Sequence, residues 1–178
     1  MGVLRPLAAM LLVLATSCIG TTPEERLRAD QGNYDDGDEE HRPGQPCLVC
    51  HGADYNPGGP VFVVAGTVFA DPLDDDENGL EGAQVHITDA EGRTFTAETN
   101  TAGNFMVQVE SGLSSPQQGR RGRLRIPYTP TFPLRAEVEF EGASQEMESR
   151  IWKDGSCASC HRGSTASEGG VEKIWVFE

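Results

Sequence analysis

The chain has 178 residues and a formal net charge of −14, from 28 acidic residues against 14 lysines and arginines. That balance excludes nucleic acid as a partner, because phosphate backbones are bound through clustered cations; it fits simple solubility, a basic partner or divalent cations. Twenty-one glycines and 11 prolines with few long apolar runs exclude a helical bundle and predict a β-rich, loop-rich chain, long enough for one domain with a modest core.

Residues 1–17 read as an export signal. Arg5 gives a short basic start, Leu7 to Leu14 an apolar stretch, and Ala15-Thr16-Ser17 the small residues, a run too short and wrongly flanked for a membrane span. Cys18 follows directly and resembles the cysteine of the bacterial lipobox, although Ala15 stands where that pattern usually has leucine. The resemblance implies lipidation at Cys18; an ordinary signal peptide with an incidental cysteine is the alternative. Losing the signal removes only Arg5, so the mature chain is one unit more negative. Residues 18–46 are polar and acidic around Asp35-Asp36-Gly37-Asp38-Glu39-Glu40 and predict a lipid-anchored acidic linker.

A pentapeptide then opens the segment 47–60 and returns in 153–178: Cys47-Leu48-Val49-Cys50-His51 and Cys157-Ala158-Ser159-Cys160-His161. C-x-x-C-H is the attachment signal for c-type haem. Two thiols three residues apart on a tight turn each form a thioether to a haem vinyl, and the adjacent histidine offers its imidazole to the iron. The expectation is two covalent haems, on Cys47 and Cys50 and on Cys157 and Cys160, with His51 and His161 as proximal ligands. With Cys18 these thiols account for all five cysteines. A thioredoxin-like pair wants a βαβ pattern, which neither motif has. A zinc site can draw four ligands from these side chains, but does not call for a histidine directly after both second cysteines. Disulfides agree with export, yet the three-residue gap closes a strained loop. Bacterial c-type haem is attached outside the cytoplasm, which agrees with the export signal.

Between the motifs, strand-like runs cover 61–69, 83–88, 93–99, 105–109, 123–126, 134–140 and 148–152, separated by turn residues such as Asn78-Gly79, Glu91-Gly92 and Ala102-Gly103. They predict a sandwich of short antiparallel strands over 61–152, with a closing strand at 172–177 and no helix longer than the motif turns. Ala83, Val85 and Ile87 alternate onto one face, and Gly103 suits a turn of positive φ. Gly66-Thr67-Val68, Leu80-Glu81-Gly82-Ala83-Gln84-Val85-His86-Ile87 and Thr99-Asn100-Thr101-Ala102-Gly103-Asn104-Phe105 together resemble the carboxypeptidase regulatory-like domain, with Asn100 in the place of that family's usual aspartate. The resemblance implies an all-β, prealbumin-like (transthyretin-like) sandwich that is a non-catalytic scaffold, here flanked by the two C-x-x-C-H segments.

Four histidines occur. Two are proximal, which leaves His86 and His41 as distal candidates. His86 alternates with Val85 and Ile87 and so points off the sandwich; His41 sits in the linker before the first motif. Met147, ten residues before Cys157, competes as a thioether ligand that would raise the potential, whereas Met106 reads as core packing between Phe105 and Val107. Asp74, Asp76 and Asn78 match the first half of a calcium loop, but Val85 stands where the bidentate glutamate belongs, so an acidic turn is the plainer reading. Arg120, Arg121, Arg123 and Arg125 form a basic cluster suited to haem propionates, an acidic partner or nearby carboxylates.

The favoured function is an electron-transfer dihaem c-type cytochrome at the bacterial cell envelope, periplasmic or on the cell surface, with the outer membrane preferred. Its partners are a redox donor and acceptor protein or an extracellular electron acceptor, and the membrane through an N-terminal lipid; self-association stays open. Such a protein needs no catalytic residues. The alternatives are a haem enzyme, either a peroxidase or a small-molecule reductase, and a surface interaction module with accessory haems. The chain is short for the former, and no acid–base pair stands beside either motif.

Overall fold

The computed structural model describes residues 37–54, 59–73, 78–110, 121–163 and 171–176. The export signal, Cys18, Asp74, Asp76 and Arg120 lie outside the described residues. The elements are α1 (Cys47–His51), β1 (Val64–Phe69), β2 (Gln84–Thr88), β3 (Thr94–Glu98), β4 (Asn104–Val109), β5 (Arg123–Ile126), β6 (Arg135–Phe140), β7 (Ala143–Glu146), a 3₁₀ turn (Cys157–Ser159), β8 (His161–Gly163), β9 (Val171–Glu172) and β10 (Ile174–Trp175).

The protein is all-β, with two four-stranded sheets around one core, as the spacing of the runs predicts. The first sheet runs β10-β1-β4-β5 and the second β3-β2-β6-β7; β8 and β9 form a separate ribbon. Val64, Val68, Phe105, Val107 and Ile126 from the first sheet meet Val85, Ile87, Phe95, Ala97 and Val138 from the second. In β2 the alternation expected of residues 84–88 holds: Val85 and Ile87 are buried while Gln84, His86 and Thr88 are half-exposed. Gly103 has a φ of 73°, and any side chain there would run into the Val68 carbonyl; only glycine serves such a turn.

Three features differ from the expected meander. The second sheet is wholly antiparallel, but the first is mixed, because β5 pairs parallel with β4 and β10 parallel with β1. Parallel neighbours need a long crossover rather than a hairpin, and the stretch of sequence between Val109 and Arg123 is long enough for one. The strand expected over 148–152 reduces to a single bridge between Leu134 and Ile151, and pairing falls instead on β7, whose Ser144, Gln145 and Glu146 are exposed at the sheet edge. The closing strand breaks into β9 and β10, each two residues long.

β1 is the strand that positions everything else. All six of its residues are buried, so both of its faces are covered. One face enters the main core. The other carries Ala65, which with Phe62 and Met106 forms a second apolar cluster against Cys47 and Leu48 of α1. A five-residue helix does not persist in water on its own; that packing, together with the Phe62 amide donating to the His51 carbonyl at 2.8 Å, holds it.

Candidate functional site

The first motif forms one helical turn on the outer face of the first sheet. Cys47, Cys50 and His51 stand at positions i, i+3 and i+4, which share a helix face. His51 Nδ1 donates to the Pro60 carbonyl at 3.1 Å, which fixes the tautomer with its lone pair on Nε2. A histidine that ligates a metal is oriented by such a carbonyl partner on its other nitrogen. Burial lowers the His51 pKa, with Arg123 and His41 nearby pressing the same way and the Pro60 bond opposing, so the ring is held neutral, as a ligand must be. Burial also pushes the Cys47 thiol up to about 11.

A cleft of about 140 Å³ opens beside this turn, lined by Cys47, Cys50, His51, Phe62, Met106 and His41 among others. The His51 ring packs on Phe62 with centroids 4.7 Å apart, and the His41 ring stands 5.8 Å from it at an interplanar angle of 57°. His41 Nδ1 donates to the Asp38 carbonyl. Two imidazoles on one metal ion, each bonded at about 2.0–2.1 Å, have their ring centres only a little further apart than these. Met106 belongs to the cleft as well. Read from the sequence as core packing, it is indeed buried, 4% exposed, but in the second apolar cluster beneath α1, while its neighbours Phe105 and Val107 turn to the main core.

Residues 37–46, expected to be the end of a linker, instead lie strapped across the first sheet. Asn104, 4% exposed, accepts from Thr67 Oγ1 at 2.7 Å and donates Nδ2 to the His41 carbonyl at 3.2 Å. Asn100 Nδ2 donates to the Glu39 carbonyl at 2.7 Å, and the Gly44 amide to Thr67 Oγ1 at 2.8 Å. Glu39 pairs with Arg123 at 3.4 Å. His41 is thus anchored beside His51 by buried amide side chains. No hydrophobic signal could have announced this strap.

The second motif sits on the edge of the same strand. The Ala65 amide donates to the Gly155 carbonyl at 3.0 Å, and Ser156 bridges Ala65 in parallel register. The 3₁₀ turn that follows brings residues i and i+3, Cys157 and Cys160, onto one side. Cys157 lies directly against Gly66: a Cβ on Gly66 would stand 2.8 Å from Cys157 Cβ and 3.1 Å from its Sγ. His161 Nδ1 donates to the Glu172 carbonyl at 2.7 Å, repeating the His51 arrangement. Burial pushes the Cys157 thiol up to about 12, and the neighbouring charges of Cys47, Asp154 and Cys160 act in the same direction. The two motifs, far apart in sequence, therefore meet at β1.

The other predicted ligands are not brought there. His86 is on the outer face of the second sheet, with Nδ1 at 2.8 Å from Thr96 Oγ1 and Nε2 at 3.3 Å from Glu139 Oε2; the core of the sandwich separates it from both motifs. Met147 follows β7 at the far edge of that sheet, its amide bonded to the Ala136 carbonyl at 2.9 Å. Asn78 precedes a bridge between Gly79 and Phe69, with its calcium-loop partners outside the described residues. The basic cluster splits: Arg121 pairs with Glu81, while Arg123 stands opposite Met106 in the β4–β5 register.

The donor set fits haem. Each site offers two thiols that could form the thioethers of a c-type haem and one carbonyl-tethered imidazole that could ligate its iron. Beside the first site, Arg123 Nε and Gln45 Oε1 are buried without a hydrogen-bond partner, and a propionate would satisfy the former. Among the described residues no three His, Cys, Asp or Glu side chains group as ligands for a bare metal ion. No family model, curated protein or solved structure matches the chain.

Proposed function

We propose that the chain is a dihaem c-type cytochrome that transfers electrons at the bacterial cell envelope, built on a transthyretin-like sandwich and tethered as a lipoprotein through Cys18. The observation that carries this reading is the repetition of one donor arrangement: in both C-x-x-C-H segments the histidine Nδ1 is tied to a backbone carbonyl beside two cysteines on a tight turn. Cys47 and Cys50 would hold one haem and Cys157 and Cys160 the other, with His51 and His161 beneath them. When bound, each haem supplies an iron that takes up or gives up one electron. The chain's own share is positioning. Pro60 and Glu172 aim the His51 and His161 rings, Phe62 and Met106 exclude water from one side of the first site, and Asn104 holds His41 where it would serve as a second imidazole ligand. Arg123 would neutralise a propionate there.

Produced with c-type maturation machinery, the protein should take up two electrons per chain reversibly and show low-spin spectra at the first site. A colourless chain that takes up no electrons would overturn the proposal. A haem enzyme is the second reading, favoured by one observation: His86 and Met147 stand on the second sheet, away from His161. A second haem that binds carbon monoxide or cyanide readily would support it.

A further inference from the structure

We infer that β1, through Ala65 and Gly66, seats the two haem-attachment sites against adjoining residues of one strand, so that the chain binds its haems as a coupled pair rather than as two independent carriers. The inference rests on the haem reading above. Cys47 belongs to the cluster built on Phe62, Ala65 and Met106, and Cys157 fills the space that a Cβ on Gly66 would take. Backbone bonds lock both placements, from Phe62 to His51 and from Ala65 to Gly155. Consecutive α-carbons are about 3.8 Å apart, so the anchors are neighbours although 110 positions separate Cys47 from Cys157 in sequence.

A thioether fixes the edge of a macrocycle to its cysteine. The anchors flank one strand, Cys47 on its outer face and Cys157 at Gly66 against the main core, so the two edges lie close across β1 in a partly buried region where a unit change in charge at one site is felt at the other, with less solvent screening than between surface groups. Gly66 makes the arrangement possible, since any side chain there would occupy the space of the Cys157 thiol. The same strand that closes the core thus aligns the two carriers, one from each of its faces.

The test starts from intact mass, which counts haems on the full chain; fewer than two would overturn the haem reading and this inference with it. On protein carrying two, stepwise reduction is followed by visible and paramagnetic resonance spectra. Reduction of one haem should change the line shape of the other and lower its reduction equilibrium constant about tenfold, about 59 mV for a one-electron couple. Two single-haem variants, C47A/C50A and C157A/C160A, give the reference spectra and potentials. Two-haem spectra and titrations equal to the sum of the two variants would overturn the inference while leaving the haem reading intact. Should a variant fail to fold, the unsubstituted protein still decides: a half-reduced sample whose oxidised haem is unchanged in line shape contradicts coupling.

Discussion

At the residue scale, the first site depends on side chains that carry no redox chemistry. Asn104 is buried, joins Thr67 to the strap, and donates to the carbonyl of the residue it positions, His41. Asn104→Ala leaves that carbonyl and Thr67 without their partner, a loss on the order of 1–3 kcal/mol. Chemical denaturation should register that loss, and amide exchange over residues 38–45 should quicken; unchanged exchange would mean the strap is held otherwise. His41→Ala should convert the first haem from six-coordinate low-spin towards high-spin, as read by magnetic circular dichroism, while His86→Ala should leave both spectra unaltered. Gly66→Ala puts a methyl group into the Cys157 thiol and forces it aside, a cost of about 1–3 kcal/mol in a packed site. Loading of the second haem should fall in the mass spectrum while the first is retained.

At the element scale, the β2–β3 hairpin has its own electrostatic clamp. Arg93 Nε and Nη2 donate to Asp89 Oδ2 at 2.8 and 2.6 Å, and the Glu91, Arg93 and Thr131 amides donate to the same carboxylate. Burial by itself would raise this carboxyl, but Arg93 and the amides outweigh it and hold the pKa at about 2 against an ordinary 3.8. A depressed folded-state pKa stabilises the fold above the unfolded value and loses that stabilisation as pH falls through the folded one. Thermal unfolding of the protein should therefore exceed that of Asp89→Asn by a constant margin above pH 5, and the margin should close between about pH 4 and pH 2. A margin independent of pH would exclude the clamp.

The same scale shows what sequence could carry. Strands with one polar face were legible: β2 alternates Val85 and Ile87 with His86, and β5 has its boundaries where the pattern put them. β1 and β4 were legible as strands but not in their faces, because both sides are covered and Phe105, Met106 and Val107 are all apolar. Period two needs a polar side to show itself, and α1 removed it. β7 is too polar to announce a strand, and its pairing comes from the hairpin with β6 rather than from hydrophobicity. The strap was illegible for a different reason: its attachment is by amide side chains to backbone carbonyls, which leaves no periodic trace. The two C-x-x-C-H segments stand out by spacing alone, whereas the carbonyl partner of each histidine, Pro60 and Glu172, shows only in the fold.

At the scale of the whole molecule, chain order hid the main spatial fact. Two segments that bracket the sandwich in sequence converge on one strand of it, since β1 follows the first motif while residues 155–157 return beside Ala65 on the edge of β1 that β10 also pairs with. On the function proposed above, that convergence makes the sandwich a frame for two cofactors. The most direct test of that account is the intact mass of the full chain matured with c-type machinery. Two covalently bound haems per chain, falling to one in C47A/C50A and in C157A/C160A, is the predicted result; a mass with one haem or none in the unsubstituted protein would contradict it.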